Sequence, residues 1–370
     1  MNPAGLIISG QSGTSDSAYA YRVNRLAESL ERNSIKCDYF FIPDNKPLDT
    51  ETTASLFMLF WIRKLRKYDF LYCGATMACQ TLYWCRRFLP GLVILDMHGD
   101  DIAQSAQDNE VRSGGQKRTA SLRVKLEYRM AMSCADYWLT QSAFQMEDLI
   151  KAGVPADRIR VIRNGVDLDL FRFLPQPKQP DFTFGYVGAF QVWQGIGELI
   201  RAFENLEDSS LRMLLVGFRD YDRPLKQSLA NKFGSRLVLV DMTDRSSMID
   251  LLESVAILVS ARPSHKASRA AFPTKFAEYA ALGRPIVVTN VDETADFVRK
   301  YGCGFVSDPA PDKLAKTLDE AAKVPWETLA EMGNRARHMA EENFSWEKVG
   351  NEYASFIRDM ISKCNGKKDR

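Results

Sequence analysis

Little in this chain of 370 residues points to a specialised class of protein. Its seven cysteines, at 37, 73, 79, 85, 134, 303 and 364, form an odd, scattered set without a Cys-x-x-Cys pair. That pattern argues against a disulfide framework or a structural zinc and for a reducing compartment. No apolar run reaches transmembrane length. The opening stretch MNPAGLIISGQSG lacks the charged and apolar regions of a secretion signal, so a cytoplasmic protein is expected. A net charge of only +2 gives no general attraction for nucleic acid. There are three histidines, and no Ser-His-Asp set, metal-ligand cluster or pair of carboxylates at helical spacing, so no metal is expected. The full Gly-x-Gly-x-x-Gly of a dinucleotide site is also missing, which counts against a nicotinamide dehydrogenase.

What the chain does have is alternation. Short β-rich runs recur between helical patterns: LIIS (6–9), CDYFFI (37–42), FLYC (70–73), LVILDM (92–97), YWLTQ (137–141) and RVIRN (160–164). A second series follows: FTFGYVG (182–188), LRMLLVG (211–217), LVLVD (237–241), AILVS (256–260), PIVVT (285–289) and GFVS (304–307). Two such series predict an α/β protein with two doubly wound parallel sheets. The stretches between carry helical stripes, such as Val23, Leu26, Ala27 and Leu30, or Ile196, Leu199, Ile200, Phe203 and Leu206. The segment RFLPQPKQPD (172–181) reads as a linker between a domain over 1–171 and a second over 182–345. Val349, Tyr353, Phe356, Ile357 and Met360 form the stripe of a terminal helix over 346–363, and CNGKKDR reads as a frayed end.

In doubly wound folds ligands bind beyond the carboxyl ends of the strands, which directs attention to the loops there. One is FPTKFAEYAALGRPIVVT (272–289). Pro273 suits the first turn of a helix, Gly283 the residue after its last turn, and the β-branched run a buried strand. Lys275 and Glu278 then share one face at a helix N-terminus, whose unpaired N–H groups attract anions. A carboxylate repels phosphate but accepts hydrogen bonds from sugar hydroxyls. The same two residues also suit an ordinary surface ion pair, and residues 275 and 278 alone leave both readings open.

Upstream, Arg262, Lys266 and Arg269 join Lys275 in a loop with four cations and no acid before Glu278. It reads either as a solvated basic loop or as a clamp for a departing diphosphate. Further loops at strand ends are GQSGTSDS (10–17), where Gly10 and Gly13 would let backbone approach a ligand; MHGDD (97–101), with His98 just past a strand; and GAFQVWQG (188–195). Asp167 and Asp169 read as a turn. In 53–67 the apolar residues cover two helical faces and end in RKLRK, and 112–129 holds six basic residues against one acid. Both features suit contact with an anionic membrane surface, and the first equally suits a helix wedged inside the fold.

These residues resemble the retaining glycosyltransferases of family four. VIRNGVDLDLF (161–171), YVGAFQVWQGIGELIRAF (186–203), PTKFAEYAALGRPIVVT and FSWEKVGNEYASFI (344–357) are similar to that family's inter-domain, donor-domain, donor-helix and terminal-helix segments. The resemblance implies a GT-B fold of two facing Rossmann-like domains, with the terminal helix crossing back to the first. It implies a nucleotide-sugar co-substrate, UDP- or GDP-linked, with no cofactor or metal. The sugar would pass with retention to a glycan or lipid-linked acceptor, with the protein peripheral on the inner face of the cell membrane. Glu278 would hold the ribose and Lys275 the phosphates, with the 271–274 backbone against the ligand: Ala271, Phe272 and Thr274 offering N–H groups and Pro273, which has none, shaping the turn. Gly188 would let its loop approach the phosphates, and His98 would lie near the reacting sugar. The sequence departs from the family where Ala270 replaces a second glutamate, and where Ala189 and Gln194 replace an arginine and a lysine. A catalytically silent relative that binds nucleotide or glycan as a partner subunit is the alternative.

Overall fold

A computed structural model describes residues 3–9, 18–41, 65–89, 91–112, 119–190 and 192–368. Gly10, Gly13, most of the apolar stretch 53–67 and the middle of the basic stretch 112–129 lie outside the described residues.

All twelve expected strands are present. Those of the first series are β1 (Ala4–Ser9), β2 (Lys36–Phe41), β3 (Phe70–Cys73), β4 (Leu92–Met97), β5 (Tyr137–Thr140) and β6 (Ile159–Val161). Those of the second are β7 (Phe182–Val187), β8 (Met213–Phe218), β9 (Leu237–Asp241), β10 (Val255–Ser260), β11 (Ile286–Thr289) and β12 (Gly304–Ser307). They form two six-stranded sheets, in the orders β2-β1-β3-β4-β5-β6 and β12-β11-β10-β7-β8-β9. Every pairing is parallel, for example Ile8 with Cys73 and Phe184 with Met213. Helices cover both faces of a parallel sheet, so its central strands must be apolar throughout. FLYC, MLLVGF and VAILVS are buried at every position.

The chain divides into two compact units, residues 1–164 with 346–370, and residues 165–345. Residues 172–181, expected as a linker, lie along the second unit. There Leu174 is buried, Arg284 donates to the carbonyls of Leu174 and Pro175 at 2.8 and 2.9 Å, and Gln176 donates to that of Ala256 at 3.0 Å. The terminal helix, Trp346–Lys368, belongs to the first unit. Its Val349, Tyr353, Ile357 and Met360 share a core with Val23, Leu26, Ala27 and Leu30 of helix Ala18–Arg32. The helix continues through Lys368, so the frayed end expected from Cys364 onward is replaced by further turns. Among the described residues no helix is long and apolar enough to cross a membrane.

Candidate functional site

The order of the second sheet reverses between β7 and β10. From β10 the chain steps outward to β11 and β12, and from β7 to β8 and β9. At such a reversal adjacent strands send their loops to opposite faces, which leaves a crevice at their carboxyl ends. The loop after β7 starts at Gly188, and the loop after β10 leads through Arg262 to helix Thr274–Ala281.

The glycines explain how closely these loops meet. Gly195 has φ 74°, and a Cβ there would come within 1.4 Å of the Ala261 carbonyl oxygen, so the β7 loop is seated on the end of β10. Gly188 has φ 139°, and a Cβ there would lie 2.9 Å from the Lys275 ammonium. The two loops singled out in the sequence thus converge at one point.

Lys275 is not half of a surface ion pair. It is only 9% exposed, and among the described residues it makes no ion pair with Glu278 or any other carboxylate. Its Nζ donates to the Tyr186 hydroxyl at 2.8 Å and lies 4.0 Å from the centre of that ring. Burial, helped by the charge of Arg262 and opposed by Glu278, brings its pKa down to about 7. Glu278, one turn on, is half-buried, and its carboxylate makes no hydrogen bond among the described residues. Burial raises its pKa against the pull of Arg245 and Lys275. Each charge is thus destabilised by desolvation, as expected of groups lacking full partners.

The basic loop divides in two. Lys266 and Arg269 are exposed. Arg262, 3% exposed, pairs with Asp292 at 2.7 Å and donates to the Ala271 carbonyl at 2.7 Å. Its backbone exchanges hydrogen bonds with the Thr289 hydroxyl at 2.8 and 2.7 Å, and its Nε has no partner among the described residues. Arg262 therefore ties the loop to β11 and has a carboxylate partner, though its charge still acts on Lys275, whereas the sequence presents it as one of four like cations. Phe272 packs among Phe276, Phe297 and Phe344, and Pro273 is the N-cap residue of the Lys275 helix, so this pair anchors the helix start. Ala271 and Thr274 flank them, half-buried. Ala270 is buried at the end of the short helix Lys266–Ala270, and the side-chain oxygen of Gln194 is buried with no partner among the described residues.

In the first unit His98 follows β4, and its surroundings were hidden from the sequence. Asp96 of β4 and Arg22 of helix Ala18–Arg32 form a fully buried two-pronged pair, Nε to Oδ2 at 2.8 Å and Nη2 to Oδ1 at 3.1 Å, with the Tyr72 hydroxyl also donating to Asp96. Arg22 further donates to the Asn164 side-chain oxygen at 3.2 Å. A guanidinium can only donate, so that contact orients the Asn164 amide. Asn164 then donates to the Gln141 oxygen at 3.2 Å, and Gln141 turns its NH2 to His98 Nδ1 at 3.3 Å. His98 Nδ1 must accept, so the neutral ring carries its proton on Nε2, which is buried 3.7 Å from Asp96 Oδ2 without a hydrogen bond. Burial lowers the His98 pKa to about 4, against the pull of Asp96. Both ring nitrogens are thus aimed at this unit's own polar network. Asp167 caps a turn, accepting from the N–H groups of Asp169 and Leu170 at 3.1 Å each.

Two Rossmann-like units with these sheets define the GT-B fold. Thermosynechococcus elongatus sucrose-phosphate synthase is similar in structure, with a TM-score of 0.79 and 16% identity over 98% of this chain and 100% of that one. So is Anabaena HepE in complex with UDP and glucose, with a TM-score of 0.73 and 16% identity over 96% and 99%. The family model "Glycosyltransferase Family 4" matches residues 17–170, and "Glycosyl transferases group 1" matches residues 169–339. Between them the two glycosyltransferase models account for residues 17–339 of the chain. The Staphylococcus aureus capsular polysaccharide biosynthesis glycosyltransferase CapM is 25% identical over 197 residues, 50% of this chain and 48% of that protein. The chain spans about half to three-fifths of the length of the curated relatives it matches.

Proposed function

We propose that the protein moves a sugar from a UDP- or GDP-linked donor to a glycan or lipid-linked acceptor, with retention and without a metal ion. One observation carries the reading: Lys275 buries an ammonium that meets no counter-ion among the described residues, where the second sheet reverses and beside the bare backbone of Gly188. A diphosphate would supply the missing charge, and as a leaving group it gains charge in the transition state, where a fixed cation acts most strongly. Glu278, half-buried and with no side-chain hydrogen bond among the described residues, is suited to accept from ribose hydroxyls. UDP is the first nucleotide to test, because HepE was solved with it. His98 serves the sugar side only if its ring turns a nitrogen away from Gln141 and Asp96.

The acceptor reading draws on the first unit. Trp84, Leu122 and Leu126 are 66%, 83% and 56% exposed, and helix Leu122–Cys134 bears Arg123, Lys125 and Arg129. Apolar side chains among cations suit an anionic membrane surface carrying a lipid-linked acceptor. The deciding experiment offers a panel of nucleotide sugars, with and without a lipid extract, and scores nucleotide release alongside thermal shifts with UDP, GDP and NAD. Release from one UDP or GDP sugar supports the reading. Stabilisation by NAD alone overturns it, and nucleotide binding without turnover of any sugar selects the silent relative, in line with Ala270 and Gln194.

A further inference from the structure

The Lys275 ammonium is held by Tyr186. This tyrosine is in β7, fully buried, where a phenylalanine would serve packing equally well. Its hydroxyl has two partners: it donates to the Ala189 carbonyl at 3.1 Å and accepts from Lys275 Nζ at 2.8 Å. Because the hydroxyl hydrogen is engaged with Ala189, a lone pair faces the lysine, an arrangement that favours the charged amine. The ring face adds a second attraction for a cation, at 4.0 Å. Gly188 leaves the third side open to a close approach.

We propose that Tyr186 is a positioning residue for Lys275, fixing its ammonium at the Gly188 backbone so that an arriving diphosphate becomes the counter-ion that the described residues do not provide. The consequence for catalysis rests on the donor reading above. The charged groups around the lysine are few. Arg262, from the loop after β10, pairs with Asp292 and still repels the ammonium, lowering its pKa. Glu278 lies one turn along the same helix, with Arg245 acting on it from helix Arg245–Leu252. With its pKa brought down to about 7, Lys275 is only partly protonated near neutrality, and a dianion would restore the proton. Donor binding should therefore take up a proton from solvent.

Three measurements on the full chain test this. In NMR titrations of labelled lysine, Tyr186→Phe should make Lys275 titrate at lower pH than wild type, because the ring stays and the acceptor goes. Calorimetry with UDP and GDP in buffers of different ionisation heat should show proton uptake by the wild type. In Tyr186→Phe the affinity should fall about threefold, no more than in Lys275→Met, and its alkaline decline should move to lower pH. Tyr279→Phe is the comparison, since the Tyr279 hydroxyl accepts from the Val187 N–H at 2.8 Å and lies off the ammonium. It should leave the Lys275 titration in place. An unmoved lysine in Tyr186→Phe, an equal shift in Tyr279→Phe, or nucleotide binding by the wild type without proton uptake would each overturn the proposal. If neither nucleotide binds the wild type, the donor reading falls, and the lysine titration still decides the role of Tyr186.

Discussion

Two buried cations, one in each unit, are treated in opposite ways. Arg22 is 1% exposed and meets Asp96 through two hydrogen bonds, with three further acceptors from Ile162, Arg163 and Asn164. Burial opposes both charges, yet each partner outweighs it, so the Arg22 pKa stands above and the Asp96 pKa below the ordinary value. Lys275 is nearly as buried and has a neutral phenol where Arg22 has a carboxylate. A paired charge of this kind fastens helix Ala18–Arg32 to β4 and to the end of β6. Arg284, also buried without a carboxylate partner among the described residues, instead donates to the carbonyls of Leu174, Pro175, Leu252 and Glu253, whereas Lys275 has one neutral hydroxyl and so stores unfavourable energy that a ligand can release.

The sharpest way to break the comparison is to unpair Arg22. Arg22→Met should cost the first unit about 3–5 kcal/mol, because it strands the Asp96 carboxylate in a dry interior. Asp96→Leu combined with it should recover part of the loss, since the two sites are coupled. Calorimetric melts that follow the two units separately would show this, and a loss below about 1 kcal/mol would mean that water reaches the pair.

Lys275→Met should act in the opposite direction. Without nucleotide it should stabilise the second unit by about 2–3 kcal/mol, since it removes an uncompensated buried charge. The sign follows from linkage. The folded-state pKa, about 7, lies below that of an unfolded lysine, so the penalty is full below pH 7 and fades as pH rises toward the unfolded value. Turnover of the donor should fall about ten- to hundred-fold, with nucleotide affinity less affected, whereas Glu278→Ala should weaken both. A variant no more stable than wild type would show that Lys275 has a counter-ion in solution.

The strands were legible because β-branched runs between glycine, proline and polar turns leave few alternatives, and the Lys275 helix was legible from Pro273 and Gly283. The partners were not. Asp96 meets Arg22 from 74 residues away, Asp292 meets Arg262 from 30, and Tyr186 meets Lys275 from 89. Local charge counting cannot see such pairs, and so it gave Arg262 the same weight as Lys275. One signal was available: an aspartate inside the apolar run LVILDM, and an arginine next to Val23 on a core-facing stripe, each need a buried partner of opposite charge.

The smallest expected effect concerns His98, which lies between the two cases: Asp96 is near its Nε2, but at 3.7 Å the two make no hydrogen bond. Its folded pKa, about 4, is below that of an unfolded histidine. Between those values the unfolded chain binds a proton that the folded ring refuses, so stability falls as pH drops from about 6.5 to about 4 and is unaffected by this group below that. Asp96, whose pKa is held below that of an ordinary aspartate, acts only at still lower pH, so the two windows are separable. His98→Gln should remove about 1 kcal/mol of this acid sensitivity, a figure kept small because the ring is 22% exposed and partly screened. Urea unfolding at pH values spanning the window checks it. Equal slopes for wild type and variant would mean that His98 protonates within the fold, so that the Asp96 carboxylate already serves it as a full partner and the contrast with Lys275 widens.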